Sequence, residues 1–253
     1  MNNKILVGVM TYNNFGYLQK TVPHNYKLAG MDADWVILDD GSDAENLQLL
    51  DSWEWPENNK VKVICNEDNK GISGVHNQLF DLAIAGGYEY IVCMDNDIMC
   101  TFNWLHILVD SCNYVENLGV GSPLIYNDTT MLQKMDGITT LDGAKQVDGM
   151  GAACTIIPDY IFKNYRYRTT RSFMYEDADF HGLVKHGGFT LNVFPMAQAL
   201  HLPWVVWLDP EYEKKKLLVR HKGRKCSMDA FPESFKRSYN RVLNKYIKDG
   251  DND

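Results

Sequence analysis

No apolar stretch in this sequence reaches about 18 residues, the length a helix needs to cross a bilayer, so no membrane-spanning helix is expected. The opening Met1-Asn2-Asn3-Lys4 runs straight into Ile5-Leu6-Val7-Gly8-Val9-Met10, which is strand length and too short for a signal-peptide core. No two cysteines are spaced C-x-x-C. Several of Cys65, Cys93, Cys100, Cys112, Cys154 and Cys226 sit in apolar runs, so they read as reduced core thiols, not a disulfide frame or zinc site. Positive charge is in deficit, with 25 Lys and Arg against 33 Asp and Glu and a net charge of -8. Such a balance is no electrostatic footprint for nucleic acid. Internal repeats and low-complexity linkers are also missing. These absences together point to a cytoplasmic protein.

The 253 residues suffice for one large α/β domain or two tightly joined halves. Apolar runs of strand length recur at Ile5 to Met10, Trp35 to Leu38, Val61 to Cys65 and Tyr90 to Met94. Helical segments alternate with them. Phe15 to Leu28 forms one, with Pro23 expected to kink or break it, and Ile72 to Ala85 forms another, stopped by Gly86-Gly87. Continuous apolar strands joined by helices predict a mostly parallel sheet covered on both faces. The second half predicts a helix over Phe102 to Glu116, strands at Val120 to Tyr126, Ala152 to Ile157 and Leu191 to Phe194, and helices over Glu176 to His186 and about Glu233 to Lys248.

Ligands of such sheets bind beyond the carboxyl ends of the strands, and the acidic clusters fall there. Asp95-Asn96-Asp97 follows the fourth strand. Residues two apart on a strand face one side, so Asp95 and Asp97 can share a hard cation, or simply form a polar turn. Asp39-Asp40-Gly41-Ser42 follows the second strand, either as a glycine turn that caps a helix or as a nucleoside contact. Asn69-Lys70-Gly71 opens the helix that carries His76 and Asn77, where a helix N-terminus favours an anion.

Taken in order, Thr11-Tyr12-Asn13, Asp39-Asp40-Gly41-Ser42, Asn69-x-Gly71 with Asn77, Asp95-Asn96-Asp97, Glu176-Asp177 and His201 resemble glycosyltransferase family 2 over residues 4–205. The resemblance implies a GT-A fold, α/β, with a nucleotide-sugar-binding half at 1–98, an acceptor and catalytic half at 99–205, and a C-terminal extension at 206–253. It implies an inverting, metal-dependent transfer from a nucleotide-diphosphate sugar to a saccharide or lipid-linked acceptor. By the same resemblance, Thr11, Tyr12, Asn13, Asp39 and Asp40 match nucleoside positions. Asn96, between the two metal-side aspartates, and His76 and Asn77 on the third helix match donor-binding positions. Asp95 matches the ribose and metal position, and Asp97 and His201 match metal ligands for Mn2+ or Mg2+. Gly149 matches the small-residue segment beside the donor sugar. Asp177 matches the catalytic base, with Glu176 beside it.

Two departures stand out. Val75-His76 replaces the family's frequent Ala-Arg, so that Lys70 becomes the substitute donor contact along with Gly71. His221, in Arg220-His221-Lys222-Gly223, is a second candidate metal ligand. Trp204 and Trp207 read as core or interface residues, with acceptor stacking as the alternative. Lys214-Lys215-Lys216 and Arg224-Lys225 read as a solvated charged face, with weak attraction to an anionic membrane surface as the alternative. Two other functions compete: a sugar nucleotidyltransferase, disfavoured because no Arg or Lys precedes Lys20 in the first loop, and an inactive sugar-nucleotide-binding module.

Overall fold

The computed structural model describes residues 4–54, 61–126, 143–168 and 176–202. The first strands are β1 (Ile5–Thr11), β2 (Asp34–Asp39), β3 (Val61–Cys65) and β4 (Tyr90–Asp95), interleaved with helices α1 (Phe15–Lys27), α2 (Ala44–Ser52) and α3 (Gly71–Gly86). They pair in parallel in the order β3-β2-β1-β4, as the apolar runs predict. Beyond β4 the sheet departs from the mostly parallel expectation. β8 (Cys154–Pro158) runs antiparallel to β4, β6 (Leu118–Tyr126) antiparallel to β8, and β9 (Thr190–His201) parallel to β6. The short strands β5 (Ile98–Cys100) and β7 (Lys145–Val147) add to β9 antiparallel. Three short helices complete the described chain: α4 (Trp104–Cys112), α5 (Asp159–Phe162) and α6 (Glu176–His186).

Strand alternation divides the interior into two layers. Val7, Val9, Ile37, Val92 and Met94 face α1 and α4 with Leu18, Val22, Trp104 and Leu108. Leu6, Val36, Leu38, Ile91 and Cys93 face α3, α5 and α6 with Leu79, Phe80, Ile161 and Phe180. Four of the five described cysteines are buried and none is in a disulfide, as the sequence predicts. Burial pushes the Cys93 and Cys112 thiols well above their usual range.

Several local expectations need correction. Pro23 neither ends nor splits α1, which continues to Lys27. Proline forfeits one amide bond, and the burial of Leu18 and Val22 against the sheet outweighs that loss. The helix expected from Phe102 starts only at Trp104, after Asn103 in left-handed backbone, and Phe102 is exposed. The strand expected to stop at Phe194 carries on through Pro195 to His201, across a register shift between Pro123 and Leu124 on β6. A bulge accommodates proline where a regular ladder cannot. The helix expected over 233–248, together with Trp204, Trp207, Lys214 to Lys216, His221 and Cys226, lies outside the described residues.

Candidate active site

The carboxyl ends of three neighbouring strands stand level. Thr11 pairs with Asp39 and Met10 with Asp95. Each strand therefore delivers its first polar residue to one edge. Asn96 ties this edge together. Its Nδ2 donates to Thr11 Oγ1 at 2.7 Å, its Oδ1 accepts from Asn14 Nδ2 at 3.1 Å, and its carbonyl accepts from Thr21 Oγ1 at 2.7 Å. The middle residue of D-N-D is thus a strut between the β4 end and the β1 loop.

The two aspartates after β2 are employed differently. Asp40 Oδ1 accepts from the Lys70 amide at 2.8 Å and from Asn66 Nδ2, while Oδ2 accepts from the Gly71 amide at 2.9 Å. A carboxylate there meets the positive end of α3 and occupies its first amides. Gly71, at φ +70, is in the left-handed region that glycine enters without penalty. Gly41, at φ +73, packs so tightly that a Cβ would come within 2.8 Å of the Asn69 backbone nitrogen. Asp39 turns the other way. Its two oxygens take the Ser42 amide at 2.9 Å and the Ser42 hydroxyl at 2.5 Å, and it lines a small cleft with Thr11, Asn14 and Ser42. Asn13 closes the same turn by donating its amide to Ser42 Oγ and accepting from the Asp43 amide. Tyr12 beside it is 44% exposed.

Asp97 and His201 lie far apart in sequence but meet through β5. Ile98 is paired with His201, and the Leu202 amide donates to the Asp97 carbonyl at 3.0 Å. His201 Nε2 lies 3.1 Å from Asp97 Oδ1, with both side chains buried. Asp95, Asp97 and His201 each offer one donor atom, all within 4.8 Å of one another. Donors about 2.1–2.5 Å from a single cation stand at most about 4–5 Å apart, so the three fit one ion. Two carboxylate oxygens and one imidazole suit Mn2+ or Mg2+, Mn2+ more readily for the nitrogen. His221, the other candidate ligand, lies outside the described residues.

Glu176 and Asp177 open α6, as expected, with Asp179 in the same first turn. Burial raises the Asp177 carboxyl above its usual range, and the amides of Ala178, Asp177 and Ala152 partly offset this. Ala152 follows Gly149-Met150-Gly151, so the small-residue segment meets the acidic helix start. Gly149 itself has open space around its α-carbon.

The helix α3 residues lie deeper than the sequence suggests. His76 is 1% exposed and its Nδ1 is 2.8 Å from the Ile72 carbonyl. Burial takes its pKa down to about 4, so the ring is neutral at pH 7. Asn77 clamps the backbone of Tyr167 through two 2.9 Å bonds. The Lys70 ammonium lies 3.3 Å from Gln78 Oε1 on the surface. Ser42 comes with the Asp39-Asp40-Gly41-Ser42 turn, whereas Tyr167 and the Ala152 amide lie beside these residues with no motif to signal them. Tyr167 belongs to no acidic or glycine pattern, and a backbone amide leaves no trace in residue type.

A sequence model described as "Glycosyl transferase family 2" matches residues 6–182. The chain belongs to glycosyltransferase family 2. A curated member, "Glycosyltransferase GlyG" of Streptococcus pneumoniae serotype 4 (strain ATCC BAA-334 / TIGR4), is 29% identical over 108 residues, covering 43% of this chain and 35% of that protein. Among solved structures, GalNAc-T7 with UDP, GalNAc and Mn2+ aligns with a TM-score of 0.64 at 18% identity, over 78% of this chain and 43% of that one. The mannosyltransferase PcManGT from Pyrobaculum calidifontis, in complex with GDP-Man and Mn2+, aligns at 0.62 and 11% identity, over 88% and 62%. S. aureus TarS aligns at 0.59 and 15% identity, over 96% and 43%. These likenesses establish the GT-A fold expected for the family. The chain spans about a third of the curated relative's length and less than two thirds of each of these structures. Among the described residues, no helix is long and apolar enough to cross a membrane.

Proposed function

We propose that this chain transfers a sugar from a nucleotide-diphosphate sugar to an acceptor hydroxyl, with a divalent cation and inversion at the anomeric carbon. The observation that carries this is the Asp95, Asp97 and His201 cluster on the same strand edge as Asp39 and Thr11. The UDP and Mn2+ of GalNAc-T7 and the GDP-Man and Mn2+ of PcManGT support the donor class and the metal.

In this reading Tyr12 and Asp39 take the nucleoside, with Thr11 and Asn13 shaping the turn around it. Asp97, His201 and Asp95 would hold Mn2+ or Mg2+, which neutralises the diphosphate and the departing nucleotide. Asp40, Lys70 and Gly71 fix the start of α3, and His76 and Asn77 fix its inner face. Asn96 holds the strand edge, and Gly149 leaves room for the donor sugar. The acceptor is a saccharide or lipid-linked hydroxyl whose own pKa is far too high for attack at pH 7. Asp177 accepts its proton as the new bond forms, and its burial-raised pKa makes it a better base than an exposed aspartate. Glu176 sits about 100° away around the helix and cannot reach the same proton, so it orients the acceptor or the loop.

The test is incubation with labelled UDP-, GDP- and dTDP-sugars and Mn2+, with and without saccharide acceptors. Free nucleotide and a product of opposite anomeric configuration are expected. Tight nucleotide binding without any release marks an inactive binding module instead.

A further inference from the structure

Tyr167 packs between the helix that opens near the diphosphate edge and the helix that carries Asp177. Its ring stacks on Phe180 of α6 at 4.2 Å between centroids, with planes 10° apart, and lies 4.3 Å from the His76 ring of α3. Its backbone is clamped at both ends by Asn77. The whole residue is 2% exposed. Phe180 is three positions beyond Asp177, so the ring supports the helix face that bears the carboxylate.

Packing alone accounts for the ring but not for its oxygen. The Tyr167 hydroxyl has no hydrogen-bond partner, and neither does His76 Nε2. Leaving a buried hydroxyl unsatisfied is costly, and such groups in native proteins are met by an ordered water or a ligand. His181, next to Phe180 on α6, is 3% exposed, and its ring nitrogens are likewise without a hydrogen-bond partner. The hydroxyl also lies within the electrostatic reach of Cys93, Asp177, Glu176 and Asp95, in that order of effect. Toward a carboxylate, a phenol O–H acts as the donor.

We propose that Tyr167 is a positioning residue for Asp177: its hydroxyl donates through one buried water to the Asp177 carboxylate and holds it in the orientation that receives the acceptor proton. This rests on Asp177 as the general base. A water with Tyr167 and His76 Nε2 on one side and a carboxylate on the other has the two to four partners that buried waters require.

The experiment compares the full chain with Tyr167→Phe, Asp177→Ala and the double variant. Tyr167→Phe keeps the stacked ring and removes only the oxygen. Its kcat for nucleotide release, on whichever UDP-, GDP- or dTDP-sugar the full chain turns over with Mn2+, should fall about tenfold, with the donor KM within twofold. In the Asp177→Ala background the same change should cost nothing further. Urea unfolding of the four proteins gives a readout that needs no turnover: the double variant should be less destabilised than the sum of the singles. Wild-type kcat in Tyr167→Phe, an equal loss in the Asp177→Ala background, a raised donor KM with kcat intact, or additive unfolding would each overturn the proposal. Wild-type turnover in Asp177→Ala alone would instead remove the general-base reading beneath it.

Discussion

His201 and Asp97 are brought within 3.1 Å of each other because β5 pairs Ile98 with His201. A histidine 104 positions downstream thereby reaches the D-N-D turn without any loop of its own. The contact explains why this histidine, at the end of β9, faces the strand edge.

Metal removal provides the first test of this pair. EDTA should abolish nucleotide release, and Mn2+ should restore it. His201→Ala and Asp97→Ala should each lower turnover by about a hundredfold or more, since a cation at a leaving group contributes several kcal/mol. Steady-state release of nucleotide reads both, and full activity in EDTA removes the cation from the mechanism.

Asp39 and Asp40 should part ways when replaced. Asp39→Ala should weaken nucleotide affinity by about 1–3 kcal/mol, the worth of a charged hydrogen bond. Asp40→Ala strips the cap from α3 and should lower stability in urea by a similar ~1–3 kcal/mol. Titration calorimetry with UDP and GDP, alongside urea melts, separates the two. Equal behaviour of both variants contradicts the assignment.

Asp177→Asn preserves size and loses the ability to accept a proton. It should bind nucleotide as the wild type does and lose transfer by about 10²–10⁴-fold. In the wild type, the acid limb of kcat/KM should lie above the usual aspartate range, because burial raises this carboxyl. A product that keeps the donor's anomeric configuration speaks against single displacement.

The buried histidines predict a pH dependence of stability. Both His76 and His181 are lowered from 6.5 to about 4 by burial. Between those values the unfolded chain binds more protons than the folded one, so stability falls as pH drops from about 6.5 towards 4. The slope is about 1.4 kcal/mol per pH unit for each ring. His76→Gln should flatten the profile of unfolding free energy against pH in that window, and an unchanged slope refutes the neutral buried ring.

The parallel half of the fold was legible because β1, β2 and β4 are buried on both faces and read as unbroken apolar runs, while the edge strand β3 is largely exposed. The strand-end aspartates were legible for a related reason, since polar residues that follow such a run can only lie at its edge. What the sequence concealed depends on pairing across long distances. Three-residue β5 has no periodicity to detect, and Pro195 looks like the end of a strand that in fact bulges and continues. The division of labour between Asp39 and Asp40 was equally hidden. Adjacent strand residues point to opposite faces, but nothing in their order says which face holds α3. Asn96 reads from the sequence as a donor-binding residue, and its three hydrogen bonds show it bracing the strand edge instead.

The sheet keeps its two halves of chemistry on different foundations. The strands that present Asp97 and His201 are rooted, through Ile98, Cys100, Ala197 and Ala199, in the layer under α1 and α4. The helix that presents Asp177 is rooted, through Phe180 and Val184, in the opposite layer. β4 and β9 reach into both layers, through Val92 and Phe194 on one side and Ile91 and Leu191 on the other, and so join the two floors. In a directed-selection library on the proposed reaction, substitutions around Leu105 and Leu108 should act first on cation affinity, and those around Phe80 and Val184 first on proton transfer.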